Sequence, residues 1–183
     1  SVSQVLQRIL MKDDKSDAYA YSVITQFFCA SITGIFALWK GFIMPPIAQL
    51  PFNFFLMAAL YGLGTVFIFK ALQLIEASEV TIITTTRSVI TIISALILLH
   101  ETFNLSKIIG TALIIGAILL ISKTKSVNLK FNKGVFWALA MALCYGLAVT
   151  NDAFIFRHMT DAYAYTAISF LLPGLFLLLI NPR

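Results

Sequence analysis

The sequence predicts an all-α integral membrane protein built from a repeated group of spans. Hydrophobic residues make up 60% of the 183 residues, and charged residues make up only 11%. A soluble domain of this size could not bury so much apolar surface. The five residues Asp-Ala-Tyr-Ala-Tyr occur twice, at 17–21 and 161–165, and each copy opens a long apolar run. The chain therefore contains one repeat unit and the beginning of a second.

Six apolar segments have the composition of membrane spans. A spanning helix needs about 20 mostly apolar residues, because each residue adds about 1.5 Å and the hydrocarbon core is about 30 Å thick. Segment 108–122 is short, so we expect its helix to start near Leu105. Residues 1–11 resemble the end of a further span, which would be the first of seven and would indicate a fragment of a longer protein. The six segments are 18–39, 51–69, 80–100, 108–122, 134–151 and 162–181.

The connections between these segments contain residues that end or begin helices. Pro45 and Pro51 follow the second span, and proline disrupts a helix because it lacks a backbone N–H group. We expect Ser78 to cap the start of the fourth span, because a serine hydroxyl accepts a hydrogen bond from a free N–H group there. The polar connection 123–133 is the longest, and it separates a first unit, 1–122, from the start of a second unit, 134–183.

The spacing of the repeat predicts how the two units lie in the membrane. The second span corresponds to the seventh through the repeated pentapeptide, so one unit contains five spans. Because five is odd, the next unit enters the membrane from the opposite side. Inverted repeats of this kind occur in transporters that bind their substrate between the two halves.

Four stretches of the first unit resemble the EamA-type domains of the drug/metabolite transporter superfamily. The resemblance implies ten spans in two inverted five-span halves around a central substrate path, with this chain covering most of the first half and the start of the second. The stretches are Phe69-Lys70-Ala71-Leu72, Glu76-Ala77-Ser78, Leu98-Leu99-His100-Glu101-Thr102-Phe103 and Ile109-Gly110-Thr111-Ala112-Leu113-Ile114-Ile115-Gly116.

The chain departs from that family pattern at two places. The family often has a proline within the fourth span, where this chain reads Thr86-Arg87-Ser88-Val89. It also often has an arginine early in the second span, where this chain has Gln26. These departures allow a substrate other than that of typical members.

Polar side chains recur at helical spacing in two spans. Such groups cost free energy in lipid, so they usually face a bundle interior or a cavity. They could line a substrate cavity, or they could hold helices together by close approach and hydrogen bonds. The second span carries Tyr19, Ser22, Gln26, Cys29 and Thr33, and the fourth carries Thr81, Thr84, Ser88 and Thr91.

Arg87 stands apart from these uncharged groups. An arginine in the middle of a span costs about 2.5–3.5 kcal/mol on insertion scales, so it needs a partner or water. Its guanidinium could hold an anionic group of a substrate, such as a carboxylate, by paired hydrogen bonds. Alternatively it could form a structural ion pair with Asp152 in the sixth span. Asp152 could also be a carboxylate that couples transport to protons.

These observations favour a secondary transporter of small metabolites that works by alternating access between inverted repeats. Its substrates would be amino-acid-like or other small organic solutes, anionic ones included. Two alternatives remain open: a nucleotide-sugar-type carrier of the same superfamily, and a non-transporting membrane scaffold or assembly protein. The candidate substrate-binding residues are Arg87, Gln26, Thr84, Ser88, Thr91, Tyr145 and Asn151, with Asp152 as the coupling or ion-pair residue.

Other classes of function find no support in the sequence. No phosphate-binding loop, nucleophile–base motif or metal-ligand spacing is present, so we expect no enzyme, cofactor or metal. The basic residues lie mainly in short loops, as membrane topology requires, so the net charge of +5 does not indicate a nucleic-acid partner. The expected partners are a small-molecule substrate, the lipid bilayer and a coupling ion, with a homodimer as a further alternative. We expect a multi-pass protein of a bacterial inner or plasma membrane.

Overall fold

All regular elements in the described part of the chain are α-helices. The computed structural model describes residues 2–12, 17–99, 104–124, 132–159 and 161–181. Residues 100–103, which carry part of one stretch that resembles the EamA domains, lie outside the described residues, as does most of the connection 123–133. The helices are α1 (Val2–Met11), α2 (Ala18–Lys40), α3 (Pro51–Leu74), α4 (Ala77–Thr84), α5 (Thr86–Leu98), α6 (Leu105–Thr124), α7 (Lys133–Phe156) and α8 (Tyr163–Ile180).

Five of the six predicted spans are confirmed among the described residues, and the remaining segment forms a helix with a shorter apolar stretch. Among the described residues, α2, α3, the α4–α5 segment Ala77–Leu98, α7 and α8 are long and apolar enough to cross a membrane. Helix α6 begins at Leu105, as the sequence predicts, and carries a shorter apolar stretch over Ile108–Ala117.

The fourth span is two helices rather than the one helix that the sequence predicts. The N–H of Thr85 bonds back to the carbonyl of Ile82, and its hydroxyl donates to the same carbonyl at 2.5 Å. The hydroxyl of Thr86 donates to the carbonyl of Ile83 at 2.7 Å. Threonine hydroxyls that bond to the preceding turn compete with the helical ladder and bend helices. The threonine run therefore interrupts the helical ladder of this span at Thr85.

The start of this span also differs from expectation. Glu76, not Ser78, is the N-cap residue of α4. The side chain of Glu76 accepts from the N–H of Glu79, while the side chain of Glu79 accepts from the N–H of Glu76. This reciprocal capping box satisfies two free N–H groups at once, which a single serine hydroxyl cannot do.

The two copies of the repeated pentapeptide make equivalent hydrogen bonds at helix starts, although Asp17 is the N-cap of α2 and Asp161 lies one residue before the N-cap of α8. Asp17 accepts a hydrogen bond from the N–H of Tyr19 at 2.8 Å, and Asp161 accepts one from the N–H of Tyr163 at 2.9 Å. The helices that follow them, α2 and α8, pack against each other along their length. The hydroxyl of Tyr19 donates to the carbonyl of Leu177, near the far end of α8.

The start of α8 lies in turn beside the end of α2. The rings of Tyr163 and Phe36 meet edge to face, with their centroids 5.6 Å apart. Because each helix starts where the other ends, the two copies run in opposite directions. This is the relation that inverted repeats require.

Helix α3 lies at the centre of the bundle, where it packs against α7, α8, α2 and α1. Its approach to α7 depends on Gly64, where a Cβ atom would lie 2.7 Å from a ring carbon of Tyr145. Helices α5 and α7 approach at Gly146, where a Cβ atom would lie 2.6 Å from the side chain of Ile90. Small residues at such crossings allow membrane helices to pack closely. The two close contacts fix the positions of Tyr145 and α5 in the candidate site.

Candidate substrate cavity

A cavity of about 770 Å³ lies among α2, α3, α5, α7 and α8, with one contribution from α1. Much of its wall is apolar and is formed by side chains such as Ile68, Phe69 and Phe170. Polar groups from several helices interrupt this wall. Five of the predicted substrate-binding residues line it together: Arg87, Gln26, Ser88, Thr91 and Tyr145.

Among the described side chains that line the cavity, Arg87 alone carries a charge. It is the second residue of α5, directly after the break at Thr85, and its side chain is exposed. No described residue forms a salt bridge with it, although Tyr61 and Tyr145 lie close enough for electrostatic interaction. A guanidinium in this position is available to an anionic group that enters the cavity.

Gln26, Thr65 and Tyr145 form a chain of hydrogen bonds along the wall. The hydroxyl of Thr65 donates to the carbonyl of Tyr61 at 2.7 Å, so its oxygen is left to accept. It accepts from Nε2 of Gln26 at 2.8 Å and lies 3.0 Å from the hydroxyl of Tyr145. This chain fixes the amide of Gln26, whose Oε1 is buried without a hydrogen-bond partner among the described residues.

Ser88 and Thr91 complete the polar face of α5. The hydroxyl of Thr91 lies 2.9 Å from the carbonyl of Arg87 in its own helix and 3.2 Å from the carbonyl of Gly146, so it also contacts α7. Ser94, one turn further along, continues this contact through a 2.6 Å hydrogen bond with Thr150. The polar face of α5 therefore begins in the cavity and ends in a helix–helix interface.

Comparison with known proteins agrees with this architecture. A family model described as the EamA-like transporter family matches residues 1–123, which is more than half of the chain. The chain belongs to the EamA-like transporter family. It is therefore a multi-pass membrane protein of the drug/metabolite transporter superfamily. No curated protein and no solved structure matches the chain significantly.

The EamA-like match ends before α7 and α8. Those two helices nevertheless supply Tyr145, Val149, Thr166, Ser169 and Phe170 to the cavity wall. Their relation to the EamA-like unit rests on the repeated pentapeptide and on the antiparallel packing of α2 with α8.

Two of the predicted substrate-binding residues do not line the cavity. The hydroxyl of Thr84 donates to the carbonyl of Thr81 at 3.1 Å, within its own helix. Asn151 is buried against α3, where it accepts from Nδ2 of Asn53 at 2.7 Å and donates to the carbonyl of Asn53 at 2.9 Å. In this EamA-like bundle, Asn151 thus joins α7 to α3.

Asp152 lies next to the cavity wall rather than on it. Its Oδ2 accepts from the hydroxyl of Tyr61 at 2.5 Å, and its Oδ1 accepts from the hydroxyl of Tyr165 at 2.6 Å. Tyr61 itself lines the cavity. Both carboxylate oxygens are thus bound by tyrosines, and the described contacts include no ion pair with Arg87.

Sequence reasoning missed several residues of the cavity wall. Thr65 lies one helical turn after Tyr61, so these two polar side chains share a face of α3. Thr166 and Ser169 occupy the same places after the second pentapeptide as Ser22 and Thr25 occupy after the first. A comparison of the two repeat copies, position by position, would have identified this polar face of α8.

Proposed function

We propose that this EamA-like protein is a secondary transporter of small metabolites that carry an anionic group, with amino-acid-like solutes as the favoured class. The observation that carries the proposal is the exposed guanidinium of Arg87 inside a cavity of about 770 Å³. Small-molecule sites typically enclose about 300–1,000 Å³ and combine apolar walls with a few polar groups. The cavity has both properties.

The charge of the cavity limits the kind of substrate. Arg87 contributes one positive charge, and no other lysine or arginine is among the described lining residues. A guanidinium binds a single carboxylate through paired hydrogen bonds. A nucleotide sugar carries a diphosphate and would call for several basic groups. The single base favours a substrate with one principal anionic group.

The amide of Gln26 favours a substrate that also carries a hydrogen-bond donor. A buried acceptor without a partner costs about 1–3 kcal/mol, and a ligand N–H or O–H group would remove that cost. Gln26 lines the cavity, and its Oε1 is such a buried acceptor, which a turn of the side-chain amide would bring to the cavity. An amino acid offers both groups, because its carboxylate suits Arg87 and its ammonium suits Gln26.

The arrangement of the helices supports alternating access. Helices of the first unit and α7 and α8 of the second unit all contribute to the cavity wall. Helices α2 and α8 are antiparallel copies of one another. In transporters with inverted repeats, one repeat moves against the other around a fixed substrate site.

Transport in proteoliposomes tests this proposal. The full-length protein would be assayed for exchange of labelled L-glutamate, L-phenylalanine, citrate and glucose, beside Arg87→Ala and the control Lys70→Ala. Lys70 is a suitable control because its ammonium lies 4.5 Å above the ring of Trp137, outside the cavity. Losing a charge-assisted hydrogen bond costs about 1.5–3 kcal/mol, so Arg87→Ala should raise KM for an anionic substrate by roughly 10- to 100-fold.

The results separate the alternatives. Movement of one or more anionic compounds that Arg87→Ala weakens and Lys70→Ala leaves unchanged is the expected outcome. Equal exchange by wild type and Arg87→Ala would remove Arg87 from substrate binding. If none of the four compounds moves while the protein remains folded by size-exclusion chromatography, the scaffold interpretation replaces transport.

A further inference from the structure

We infer that Asp152 binds a proton together with the substrate, so that transport is proton-coupled symport. This inference rests on the proposed transport function and adds its source of energy. It is carried by the cluster of Asp152, Tyr61 and Tyr165, in which one carboxylate joins a tyrosine of the cavity wall to a tyrosine outside it.

The geometry gives the two tyrosines different roles. Tyr61, on α3, lines the cavity and donates to Oδ2 of Asp152 at 2.5 Å. Tyr165, on α8, is buried away from the cavity wall and donates to Oδ1 at 2.6 Å. Asp152 itself is on α7, so the cluster joins three helices. Carboxylates within membrane spans commonly belong to ion or proton pathways.

A proton on Asp152 would change what Tyr61 offers to the cavity. While the carboxylate is ionised, the single hydroxyl proton of Tyr61 is directed to Oδ2, and only lone pairs of its oxygen remain for a ligand. When Oδ2 binds a proton from water, Oδ2 becomes the donor and the oxygen of Tyr61 becomes the acceptor. The hydroxyl proton of Tyr61 can then turn into the cavity and donate to an anionic group.

This exchange of roles couples the two binding events. When Asp152 is ionised, the hydroxyl of Tyr61 presents only its oxygen lone pairs to an anionic substrate. When Asp152 is protonated, the same hydroxyl presents a hydrogen-bond donor. Substrate and proton therefore favour each other's binding, and by linkage the effect is reciprocal. One proton enters from water on one side and leaves to water on the other, and only O–H bonds form and break.

The charges near the cluster are consistent with this role. Arg87, on α5, is close enough to Tyr61 and Tyr145 for electrostatic interaction, but it makes no described contact with the carboxylate. Tyr145, on α7, directs its hydroxyl to Thr65 rather than to Asp152. The described hydrogen bonds to the carboxylate come from the uncharged hydroxyls of Tyr61 and Tyr165.

The remaining charged groups on the neighbouring helices lie toward other parts of the bundle. Lys70 stacks on Trp137 near the start of α7. Glu76 and Glu79 begin α4 and lie at that same end, because Ile75 packs against Gly134. Asp152 is about 27 Å further along α7 at about 1.5 Å per residue. Asp161 accepts a hydrogen bond from the N–H of Tyr163 at the start of α8, while Arg157 and His158 are exposed beyond the end of α7.

Accumulation against a pH gradient tests the inference separately from transport. Proteoliposomes of the full-length protein, alkaline inside and acidic outside, would be given labelled L-glutamate and citrate, which do not cross protein-free liposomes readily. Exchange at equal pH, measured in parallel, reports transport without coupling. Wild type is expected to accumulate at least one of the two compounds several-fold inside, and a proton ionophore should reduce the inside-to-outside ratio to one.

Four variants then locate the proton site. Asp152→Asn should bring the ratio to one, and Asp152→Glu, which keeps a titratable carboxyl group, should keep it above one. Tyr61→Phe and Tyr165→Phe each remove one hydrogen bond to the same carboxylate, but only Tyr61 lines the cavity. Tyr61→Phe should therefore bring the ratio to one, while Tyr165→Phe should leave accumulation in place.

Each result decides between the two proposals. Exchange without accumulation in wild type, or accumulation by Asp152→Asn, overturns proton coupling and leaves the transport proposal standing. If neither of these compounds nor L-phenylalanine or glucose is exchanged, the transport proposal is overturned, and the proton-coupling inference that rests on it is overturned as well. If Asp152→Asn elutes as an aggregate in size-exclusion chromatography, the tyrosine pair decides, because equal accumulation by Tyr61→Phe and Tyr165→Phe overturns the inference.

Discussion

The contact between α3 and α7 at Gly64 predicts a large effect from a very small change. In Gly64→Ala, the added methyl group would lie 2.7 and 2.8 Å from two ring carbons of Tyr145 and 3.4 Å from Cβ of Cys144. Favourable carbon–carbon contacts are about 3.5–4.0 Å, so the ring of Tyr145 would have to move by about 1 Å. That movement strains the 3.0 Å hydrogen bond between Tyr145 and Thr65.

The expected cost follows from the size of this overlap. Overpacking of a tight interior costs about 1–3 kcal/mol. For a protein of this size, about 1 kcal/mol lowers Tm by roughly 2–4 °C, so Gly64→Ala should lower it by roughly 2–12 °C. Displacing Tyr145 should also lower the transport rate, because Tyr145 lines the cavity. Thermal unfolding of the detergent-purified protein, followed by tryptophan fluorescence, measures the first effect, and exchange in proteoliposomes measures the second.

Gly34→Ala is the matched control for this substitution. Gly34 lies inside α2, and a Cβ atom there would meet no atom within 4 Å. Alanine is a better helix former than glycine, by about 1 kcal/mol in water, so Gly34→Ala should leave Tm unchanged or raise it slightly. If Gly64→Ala and Gly34→Ala unfold at the same temperature and exchange substrate equally, α3 and α7 do not approach as closely as described.

Two further predictions concern the cavity and the repeated pentapeptide. Gln26→Leu should raise KM for L-glutamate by roughly 10-fold, because one hydrogen bond to the substrate is lost, at about 1.4 kcal/mol. The Tm of this variant should change little, since the substitution also removes the unpartnered Oε1. An unchanged KM would exclude Gln26 from substrate binding. Asp17→Ala and Asp161→Ala should lower stability by similar amounts, about 0.5–2 kcal/mol each, because each removes the equivalent hydrogen bond at a helix start. Thermal unfolding of the two variants side by side would refute this equivalence if only one of them is destabilised.

The polar stripe of the fourth span shows how far sequence periodicity reaches. Periodicity correctly groups Ser88 and Thr91 on one face, and both line the cavity. It also groups Thr84 with them, yet Thr84 lies on the other side of the break at Thr85 and bonds within its own helix. An unbroken helix was the assumption behind the grouping, and the hydroxyl bonds of the threonine run remove it.

Asn151 and Asp152 show the same limit in the sixth span. Both are polar residues within an apolar run, and the sequence marks both as functional candidates. The structure pairs Asn151 with Asn53 and Asp152 with Tyr61 and Tyr165. These partners are far away in the sequence, and no local pattern selects them from the many polar residues of the other helices.

The sequence by itself determined the membrane class, the places of the spans and the repeat. These properties depend on the length and polarity of contiguous segments, because a bilayer accepts only long apolar helices whose backbone groups are satisfied internally. The tertiary structure alone decided which polar faces meet a neighbouring helix and which meet a cavity. A polar stripe shows that a face avoids lipid, but whether that face is filled depends on how closely the opposing helices approach, and glycines such as Gly64 and Gly146 set that distance.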